Sequence, residues 1–437
     1  MGARETALNA LIACRKQAAW SNGILKEYIK RDQLDRREAA LASRLCYGVL
    51  QNRGELDFYL QQLLTGKIKN LHPAIRDILH LGLYQIYHMD KIPASAAVNE
   101  SVQLAKKYCP KIRSASGLVN AVLRNGVRTY GTLNAPEKLS DRYSHPQELI
   151  DILASYVGYE RLESMLQVNN AIPDLVVQVN TLRISADTLI ERLNEEGVTA
   201  HPHPWMCDCL TLSGAGDIEQ SKCFQEGLFY VQDAAAKLSV ICAQIPENAK
   251  VLDACAAPGG KSFAAAMQMK NTGSIYSCDV HPHKMELISG GAKRLGFDKI
   301  QVHLQDATKL NAEWLEQMDV VIADVPCSGY GIIRKKPDIR YKSPEQMEAL
   351  PALQQKILEQ QASYVKPGGV LLYSTCTLVH QENEGVVQAF LDAHPEFYTE
   401  SLRLPDVFPV NSSGMLALIP GEYDTDGFFI CRLRRKL

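Results

Sequence analysis

The first 129 residues carry a pattern of apolar positions that is typical of packed helices. Two stripes with helical spacing show it, with Leu41, Leu45 and Val49 in one and Ile75, Ile78, Leu79 and Leu83 in the other. Glycine or proline at Gly54, His72-Pro73 and Ile92-Pro93 predicts that the chain forms several separate helices. The periodicity is lost from Tyr130 to Pro146, which is predicted to be a linker. The pattern therefore predicts an all-helical domain over residues 1–130.

The middle of the chain alternates apolar and polar residues over short stretches. Leu175–Leu182 and Cys209–Leu212 have the alternation of β-strands, and Ala186–Gly197 between them has the pattern of a short helix that ends at a glycine. Strand, helix and strand in this order are typical of a compact α+β module. We predict such a module over residues 145–234.

From about residue 235 the pattern changes to apolar runs separated by amphipathic or alanine-rich stretches. The apolar runs suit buried parallel strands: Ala249–Ala254, Ser274–Asp279, Ile300–Leu304, Val320–Asp324 and Val370–Ser374. The other stretches are predicted helices: Lys261–Lys270, His283–Leu295, Pro344–Val365 and Gln381–Ala393. This alternation predicts an α/β domain over residues 235–437, a doubly wound sheet whose ligands lie at the carboxyl ends of its strands.

Charge is distributed unevenly along the chain, whose net charge is −2. Residues 1–128 hold 20 Lys and Arg against 10 Asp and Glu, a surplus of +10, so the other residues carry −12. A basic region joined to an acidic one indicates that the first region binds a polyanion, although a solvated basic helix surface would give the same count. The candidates for that contact are Arg4, Arg15, Lys16, Arg36, Arg37, Lys106, Lys107, Arg124 and Arg128.

The 12 cysteines follow no regular spacing and fall on predicted helices and buried strands. They predict a reduced, cytoplasmic protein. No stretch approaches the ~20 apolar residues of a membrane span, and no secretory signal is evident, so no membrane association is expected. His201-Pro-His203 and Cys207-Asp-Cys209 suggest zinc, but the Cys-x-Cys gap is shorter than the usual one and no metal is expected. No obligate protein partner is evident, and a monomer is expected.

The first strand of the α/β domain runs into a loop of small residues, Asp253-Ala-Cys-Ala-Ala-Pro-Gly-Gly-Lys261. Such a loop allows a ligand to approach the backbone closely, yet it is neither the dinucleotide pattern nor a phosphate-binding loop. Asp279 ends the second strand, where a carboxylate can accept both hydroxyls of a ribose, and Asp306 follows the third, as a partner for an adenine amino group. This order fits S-adenosylmethionine better than NAD.

Two later strand ends each present a cysteine. Cys327 lies in Asp324-Val-Pro-Cys-Ser-Gly329, and Cys376 lies in Ser374-Thr-Cys-Thr377. One such cysteine is more often a small buried apolar residue than a nucleophile. Two of them on the cofactor side of one sheet match the chemistry needed to methylate carbon 5 of cytosine.

Carbon 5 of cytosine is too weak a nucleophile to attack a methylsulfonium directly. A thiolate that adds to carbon 6 converts the ring to an enamine, whose carbon 5 can attack. Asp324 is placed to hydrogen-bond ring nitrogen 3 and to stabilise the charge that develops there. A second thiol beside the first could assist its elimination after methyl transfer. The pattern of residues alone leaves open which cysteine takes which role.

Several strings resemble the RNA cytosine-5 methyltransferases. They are Ala256-Ala-Pro-Gly-Gly-Lys261, Asp324-Val-Pro-Cys-Ser-Gly-Tyr-Gly331 with Lys336-Pro-Asp338, Tyr373-Ser-Thr-Cys-Thr377, Asn383, Glu384 and Thr425-Asp-Gly-Phe-Phe429. The resemblance covers nearly the whole chain. Leu45-Cys-Tyr-Gly-Val49 and Val119-Asn-Ala-Val-Leu-Arg124 are similar to the NusB-like RNA-binding domain of the family's bacterial ribosomal members. Ser144-His-Pro146, Val179-Asn-Thr-Leu-Arg183 and Val231-Gln-Asp233 are similar to their middle segment.

The resemblance implies a fold, a substrate and a set of roles. The fold is a Rossmann-like methyltransferase sheet preceded by an all-α NusB-like domain and the small α+β module. The substrate is a cytosine in the ribosomal RNA of the small subunit. Cys376 is implied to be the nucleophile, Asp324 to face the base and Cys327 to help release the product. The implied binding residues for S-adenosylmethionine are Cys255, Ala256, Ala257, Pro258, Gly259, Gly260, Lys261, Asp279, Asp306 and Asp324.

Two alternatives belong to other functional classes. One is a NusB-like RNA-binding assembly factor with an inactive methyltransferase domain, against which the intact cysteines, acids and glycine loop argue. The other is an NAD-linked oxidoreductase on the same fold, which the missing dinucleotide fingerprint disfavours. The sequence does not identify the modified cytosine or the base that removes its carbon 5 proton.

Overall fold

The computed structural model describes residues 1–17, 21–342 and 347–437. The backbone forms two compact units. The first, called here the helical unit, comprises Met1–Ala171 and Ile333–Lys342. The second, called here the sheet unit, comprises Ile172–Ile332 and Ser343–Leu437. No helix of the described ranges is both long enough and apolar enough to cross a lipid bilayer.

The helical unit is built from helices and extends beyond residues 1–130, for which an all-helical domain was predicted. They are α1 (Ala3–Gln17), α2 (Ser21–Arg31), α3 (Arg36–Gln51), α4 (Arg53–Leu63), α5 (Pro73–His88), α6 (Ala94–Tyr108), α7 (Ala115–Thr129), α8 (Leu139–Arg142), α9 (Gln147–Val157) and α10 (Tyr159–Asn170), with short 3-10 helices at Ile68–Asn70 and Pro337–Tyr341. The predicted breaks at His72-Pro73 and Ile92-Pro93 are confirmed. Gly54 instead lies in the first turn of α4, because the break occurs at Asn52. The predicted linker contains α8.

The predicted apolar stripes form the centre of the helical unit. Leu45 and Val49 on α3 and Ile78, Leu79 and Leu83 on α5 are each at most 2% exposed. Burying such a side chain contributes roughly 1.5–3 kcal/mol, so this face decides where the helices pack. Local capping fixes where they begin. The side chain of Asp35 accepts a hydrogen bond from the backbone N–H of Glu38 at the start of α3.

Ile333–Lys342 belongs to the helical unit although the residues on both sides of it belong to the sheet unit. The side chain of Arg340 in this segment is almost completely buried. Its guanidinium donates hydrogen bonds to the carbonyl oxygens of Gln51 and Asn169 at 2.7 Å and of Tyr143 at 3.3 Å. These carbonyls lie at the C-terminal ends of α3, α10 and α8, where the helix dipoles favour a cation. Burial lowers the pKa of Arg340 to about 10, so the side chain stays charged at neutral pH.

Arg340→Met should lower the free energy of unfolding of the helical unit by about 2–4 kcal/mol, because the buried carbonyls of Gln51 and Asn169 lose their donor. Urea unfolding followed by circular dichroism would measure it. Arg128→Met is the matched control, since Arg128 is exposed and hydrogen-bonds the side chain of Asn125, and it should change stability by less than about 0.5 kcal/mol. Equal effects of the two substitutions would contradict the anchoring role of Arg340.

The sheet unit begins with the small module that the alternating pattern predicts. Its strands are β1 (Leu175–Val179), β2 (Thr199–Pro202), β3 (Cys209–Ser213) and β4 (Phe229–Val231), with helices α11 (Ala186–Glu195) and α12 (Lys222–Gln225) and a 3-10 helix at Ile218–Gln220. The strands pair antiparallel in the order β2-β3-β1-β4. Ser185 caps α11 by accepting a hydrogen bond from the N–H of Thr188, which explains why that helix begins where it does.

The larger sheet confirms the predicted α/β fold class. Its strands are β5 (Lys250–Asp253), β6 (Ser274–Asp279), β7 (Ile300–Leu304), β8 (Met318–Asp324), β9 (Val365–Thr375), β10 (Phe397–Thr399), β11 (Met415–Leu418) and β12 (Phe428–Arg435). Its helices are α13 (Ala234–Ala243), α14 (Gly260–Gln268), α15 (Pro282–Leu295), α16 (Leu350–Ala362) and α17 (Glu384–Ala393), with a 3-10 helix at Ala312–Trp314. The helix predicted over Pro344–Val365 is corrected in its bounds, because Val365 begins β9; residues 344–346 lie outside the described ranges.

The strand order of the larger sheet defines where a ligand can bind. It is β10-β12-β9-β8-β5-β6-β7, with β11 paired to β12. The strands from β9 to β7 in this order run parallel, and β12 pairs antiparallel to β9. The chain proceeds from β5 to β6 and β7 on one side and then returns to place β8 on the other side of β5. A doubly wound sheet opens a crevice at such a reversal, so the carboxyl ends of β5 and β8 are the expected binding position.

Candidate active site

The loop after β5 shapes one wall of this crevice. Gly259 has φ +114° and stands at the N-terminus of α14, and a Cβ there would lie 2.4 Å from the ring of Phe263. Glycine is therefore required for the turn into the helix. A Cβ on Gly260 would lie 2.9 Å from Nε2 of Gln232, so the backbone of this turn is open to close approach only because both positions lack side chains.

Carboxylates end the parallel strands beside this loop. Asp253 ends β5, Asp279 ends β6 and Asp324 ends β8. Asp306 follows β7 by two residues, and its Oδ1 accepts hydrogen bonds from the N–H and hydroxyl of Thr308. Oδ1 of Asp279 accepts the N–H of His281. The strand ends thus offer acceptors for ribose hydroxyls and an amino group next to an open glycine turn, which fits a nucleoside such as S-adenosylmethionine.

Lys261 and Asp324 join the loop to β8. Nζ of Lys261 donates to Oδ2 of Asp324 at 2.6 Å, and the hydroxyl of Ser374 donates to Oδ1 at 2.8 Å. The lysine is nearly buried, whereas the Asp324 side chain is 28% exposed. Both oxygens of Asp324 are thereby fixed in orientation while the carboxylate still faces solvent. Such a held carboxylate is suited to hydrogen-bond a ring that enters the crevice.

The structure brings the two predicted cysteines together. Sγ of Cys327, in the loop after β8, lies 3.3 Å from Sγ of Cys376, which follows β9 directly. Both side chains are partly exposed. The hydrogen bond with Cys376, together with burial and the charges of Cys376, Glu382 and Asp324, raises the pKa of Cys327 well above its usual range. The two thiols form one coupled pair, in which one sulfur can ionise while the other keeps its proton.

Cys255 is a different kind of thiol. Burial, with further contributions from Asp253 and Asp324, raises its pKa far above that of an ordinary cysteine. A thiol that keeps its proton is a poor nucleophile. The position supports a packing role in which Cys255 presents its backbone to the ligand, and no chemical role for its sulfur.

Close backbone contacts hold the loop that follows Cys327. The N–H of Gly331 donates to the carbonyl of Cys376 at 3.0 Å, and the N–H of Gly427 donates to the carbonyl of Gly331 at 2.8 Å. A Cβ on Gly331 would lie 2.1 Å from the carbonyl oxygen of Gly427, so this packing requires glycine. The Thr425-Asp-Gly-Phe-Phe429 string, whose function the sequence left open, thus binds the loop of Cys327, which is itself hydrogen-bonded to Cys376.

Sequence reasoning missed several residues that contact the predicted ones. Ser374 binds Asp324, and Glu382 and Gln354 lie buried behind Cys327. Ser374 and Glu382 stand within strings quoted for the family or beside them, which is a usable signal. Gln354 lies in the middle of α16 and carries none. Glu384, which the resemblance singled out, contacts His380 at 3.1 Å.

Asp253 makes the stability of the fold depend on pH. Its side chain is fully buried, Oδ2 accepts the hydroxyl of Ser262 at 2.7 Å, and Oδ1 has no hydrogen-bond partner among the described residues. Burial raises the pKa of Asp253 to about 6. In the unfolded chain the pKa is about 3.9, so between these values the folded state holds a proton that the unfolded state has lost.

Stability from Asp253 should therefore fall as pH rises from about 4 through 6. Between pH 4.5 and pH 7 the expected change is on the order of 2 kcal/mol, and Asp253→Asn should remove it. Urea unfolding of both proteins at pH 4.5 and pH 7 would measure the difference. A difference between wild type and Asp253→Asn that stays constant with pH would show that the native carboxyl is ionised throughout.

Side chains of the suggested zinc motif make other contacts. His203 packs edge-on against Trp205, and Sγ of Cys209 accepts a hydrogen bond from Gln178. No cluster of metal-binding side chains occurs in the ranges that the structure describes.

Of the basic residues predicted to contact a polyanion, Arg15 is paired with Asp77 and Lys107 with Glu5. Lys16, Arg36, Arg37, Lys106, Arg124 and Arg128 are exposed, and Arg4 donates to Gln85.

Comparison with known proteins decides the family. Residues 240–434 match the model described as 16S rRNA methyltransferase RsmB/F, residues 1–128 match the NusB family, and residues 145–219 match the ferredoxin-like domain of RsmF/B-like methyltransferases. A probable ribosomal RNA small subunit methyltransferase B of Bacillus subtilis is 37% identical over 99% of this chain and 98% of its own. The chain belongs to the RsmB/F family. It is an RNA methyltransferase of the NusB-containing type, which confirms the resemblance seen in the sequence.

Further members of the RsmB/F family and solved structures agree. A ribosomal RNA small subunit methyltransferase B of Vibrio cholerae is 33% identical over 93% of this chain and 92% of its own. The crystal structure of PH0851 is 26% identical and covers 100% of this chain and 99% of its own, with a TM-score of 0.83. A methyltransferase homologue from Pyrococcus horikoshii is 28% identical over 68% of this chain and 98% of its own, with a TM-score of 0.58.

Proposed function

We propose that the protein methylates carbon 5 of a cytosine in the 16S ribosomal RNA of the small subunit, with S-adenosylmethionine as methyl donor and Cys376 as covalent nucleophile. The observation that carries this proposal is the pair of thiols 3.3 Å apart beside a fixed carboxylate, Asp324. Methyl transfer to an oxygen or nitrogen needs no such pair. The names of the similar proteins support the ribosomal substrate, and the glycine turn with its flanking carboxylates supports the methyl donor.

In the addition and methyl-transfer steps, each of these side chains has a separate role. The thiolate of Cys376 adds to carbon 6 of the ring, and the displaced electron pair moves to carbon 5. As negative charge develops on the ring, nitrogen 3 takes a proton from water and donates it in a hydrogen bond to the carboxylate of Asp324, which Lys261 and Ser374 hold in place. When bound, S-adenosylmethionine supplies a methyl group on a positively charged sulfur, and carbon 5 accepts it. The loop Cys255–Lys261 with Asp279 and Asp306 is proposed to hold that donor.

Release of the product reverses the addition. The protons on carbon 5 and nitrogen 3 leave to water, and the electron pair of the broken carbon 5–hydrogen bond restores the 5–6 double bond as the bond between carbon 6 and Cys376 breaks. The thiol of Cys327 donates its proton to the departing sulfur and regains one from water. The distance of 3.3 Å between the two sulfurs supports this role, because the proton can pass directly from one to the other.

The helical unit is proposed to bind the RNA. Its sequence over residues 1–128 carries a surplus of +10, and six exposed basic side chains on it are available to phosphates. A target cytosine within a helix would have to be flipped out to reach the thiols, which makes free RNA the more suitable substrate. The expectations that the protein is monomeric and cytoplasmic stay predictions.

The test is transfer of labelled methyl from S-adenosylmethionine to small-subunit ribosomal RNA, with large-subunit RNA as control and the product nucleoside identified. The proposal expects 5-methylcytosine from the small-subunit RNA alone. Label in another nucleoside would overturn the assignment of the base. Binding of RNA and methyl donor without any product would favour the assembly-factor alternative.

A further inference from the structure

We infer that the adjacent residues Glu382 and Asn383 are positioning residues that each hold one of the two thiols, Glu382 for Cys327 and Asn383 for Cys376. This inference rests on the proposed function, because it assigns the two residues to separate steps of that reaction. Both side chains are almost fully buried, at 2% and 0% exposure, at the junction between the Cys376 loop and α17.

Glu382 holds the loop of Cys327. Its Oε2 accepts the N–H of Ser328, the residue after Cys327, at 2.9 Å. The same oxygen accepts Nε2 of Gln354 at 2.8 Å, and Nε2 of Gln354 also donates to the carbonyl of Pro326 at 2.9 Å. The peptide groups on both sides of Cys327 are therefore tied to one buried carboxylate and one buried amide. Without the carboxylate, the N–H of Ser328 would lose its acceptor in the interior.

Asn383 holds the loop of Cys376 in the same way. Its Oδ1 accepts the hydroxyl of Thr375 at 2.6 Å, and its Nδ2 donates to the carbonyl of Thr377 at 3.0 Å. These two threonines flank Cys376 in the sequence, so one amide fixes the backbone on both sides of the nucleophile. A separate bond, between the hydroxyls of Ser328 and Thr377 at 2.6 Å, joins the two loops to each other.

Because neighbouring residues hold the two loops, one backbone segment sets the distance between the thiols. The contacts are local to one loop each, so loss of one should affect one thiol more than the other. A displacement of about 1 Å at a reacting group can cost roughly a hundredfold in rate. Loss of the Glu382 contacts should therefore impair release, and loss of the Asn383 contacts should impair addition.

The experiment measures covalent enzyme–RNA complex by denaturing electrophoresis, together with turnover, on small-subunit RNA. Glu382→Ala should reduce turnover by about a hundredfold and accumulate the complex, as Cys327→Ala should, because addition proceeds and elimination does not. Glu382→Asp withdraws the carboxylate from Ser328 without removing it and gives the same readout if the alanine variant does not fold. Glu382→Gln keeps the acceptor and should restore turnover to near wild type.

Asn383→Ala should impair an earlier step of the reaction, the addition of Cys376 to carbon 6. With RNA that contains 5-fluorocytidine, whose carbon 5 has no hydrogen to lose, wild type and Glu382→Ala should trap the complex and Asn383→Ala should trap little. Asn383→Asp, which keeps the acceptor for Thr375, should fall between them. Glu384→Ala is the matched control for both positions: its side chain is 39% exposed and contacts His380, and its turnover should match wild type.

The outcomes separate this inference from the proposed function. If wild type makes no 5-methylcytosine and Cys327→Ala traps no complex, the proposed function fails. If Cys327→Ala traps the complex but folded Glu382→Ala and Glu382→Asp turn over normally, only the positioning role of Glu382 fails. Trapping by Glu382→Gln as strong as by Glu382→Ala would also overturn it, because a retained hydrogen bond should suffice. Normal trapping of 5-fluorocytidine RNA by Asn383→Ala would overturn the role of Asn383.

Discussion

Replacement of Cys376 by alanine should lower formation of 5-methylcytosine by at least about a thousandfold and remove the covalent complex with 5-fluorocytidine RNA. Without its thiolate nothing adds to carbon 6, and carbon 5 stays too weak a nucleophile to accept the methyl group. Binding of S-adenosylmethionine, measured by calorimetry, should change little, since Cys376 lies in the loop after β9 and outside the loop proposed for the donor.

The matched control is Cys242→Ala. Cys242 is a fully buried thiol on α13, and its loss should leave both product and complex at wild-type levels. If Cys376→Ala kept full activity while Cys327→Ala lost both product and complex, the two thiols would have exchanged roles. The distance of 3.3 Å between their sulfurs makes this reversal a real alternative on geometry alone.

Asp324→Asn should lower kcat by roughly 100- to 1000-fold, the effect usually found when a preorganised group that stabilises transition-state charge is removed. Asparagine has the same shape, but its amide presents one acceptor where Asp324 now offers two, to Lys261 and to Ser374. The affinity for S-adenosylmethionine should weaken less, by under about tenfold, because the other proposed contacts remain. Single-turnover kinetics would separate the two effects.

Asp319→Asn provides the control on the same strand. Asp319 lies near the opposite end of β8, where its Oδ2 accepts the N–H of Lys250 at 2.8 Å and the side chain pairs with Lys366. Asp319→Asn should leave kcat within about twofold of wild type, as substitutions away from the site usually do. A variant at Asp324 that lost only affinity for the methyl donor would assign this carboxylate to the donor and not to the base.

The sequence predicted the core strands of the larger sheet closely, for a physical reason. Parallel strands inside a sheet are buried on both faces and therefore appear as continuous apolar runs, as at Val320–Asp324 and Val370–Ser374. The strand β12 was not predicted, because it carries Arg432, Arg434 and Arg435. The buried Arg432 is stabilised by Glu400 at 2.7 Å, a contact across 32 residues that no local pattern shows.

In the candidate site, too, some residues could be predicted from local sequence and others depend on contacts between distant parts of the chain. The cysteines and aspartates at the strand ends could be predicted, because the chemistry of a methyl transfer to carbon requires those groups in that order. The residues that hold them could not be derived in the same way. Gln354 donates a hydrogen bond to Glu382, which lies 28 residues further along the chain. Both are polar residue types that usually lie on the surface, and nothing in the local sequence shows that the fold buries them. Support for a reactive group thus depends on tertiary contacts, whereas the reactive group itself is fixed by local sequence.

The return of Ile333–Lys342 to the helical unit has a consequence for synthesis of the protein. The ends of α3 and α10 emerge from the ribosome long before Arg340, and until then the carbonyls of Gln51 and Asn169 lack the guanidinium that binds them in the folded protein. An N-terminal domain that usually folds as soon as it is made must here wait for most of the chain. We therefore expect nascent chains that stop before residue 333 to carry a protease-sensitive helical unit, and those that extend well past residue 342 to protect it.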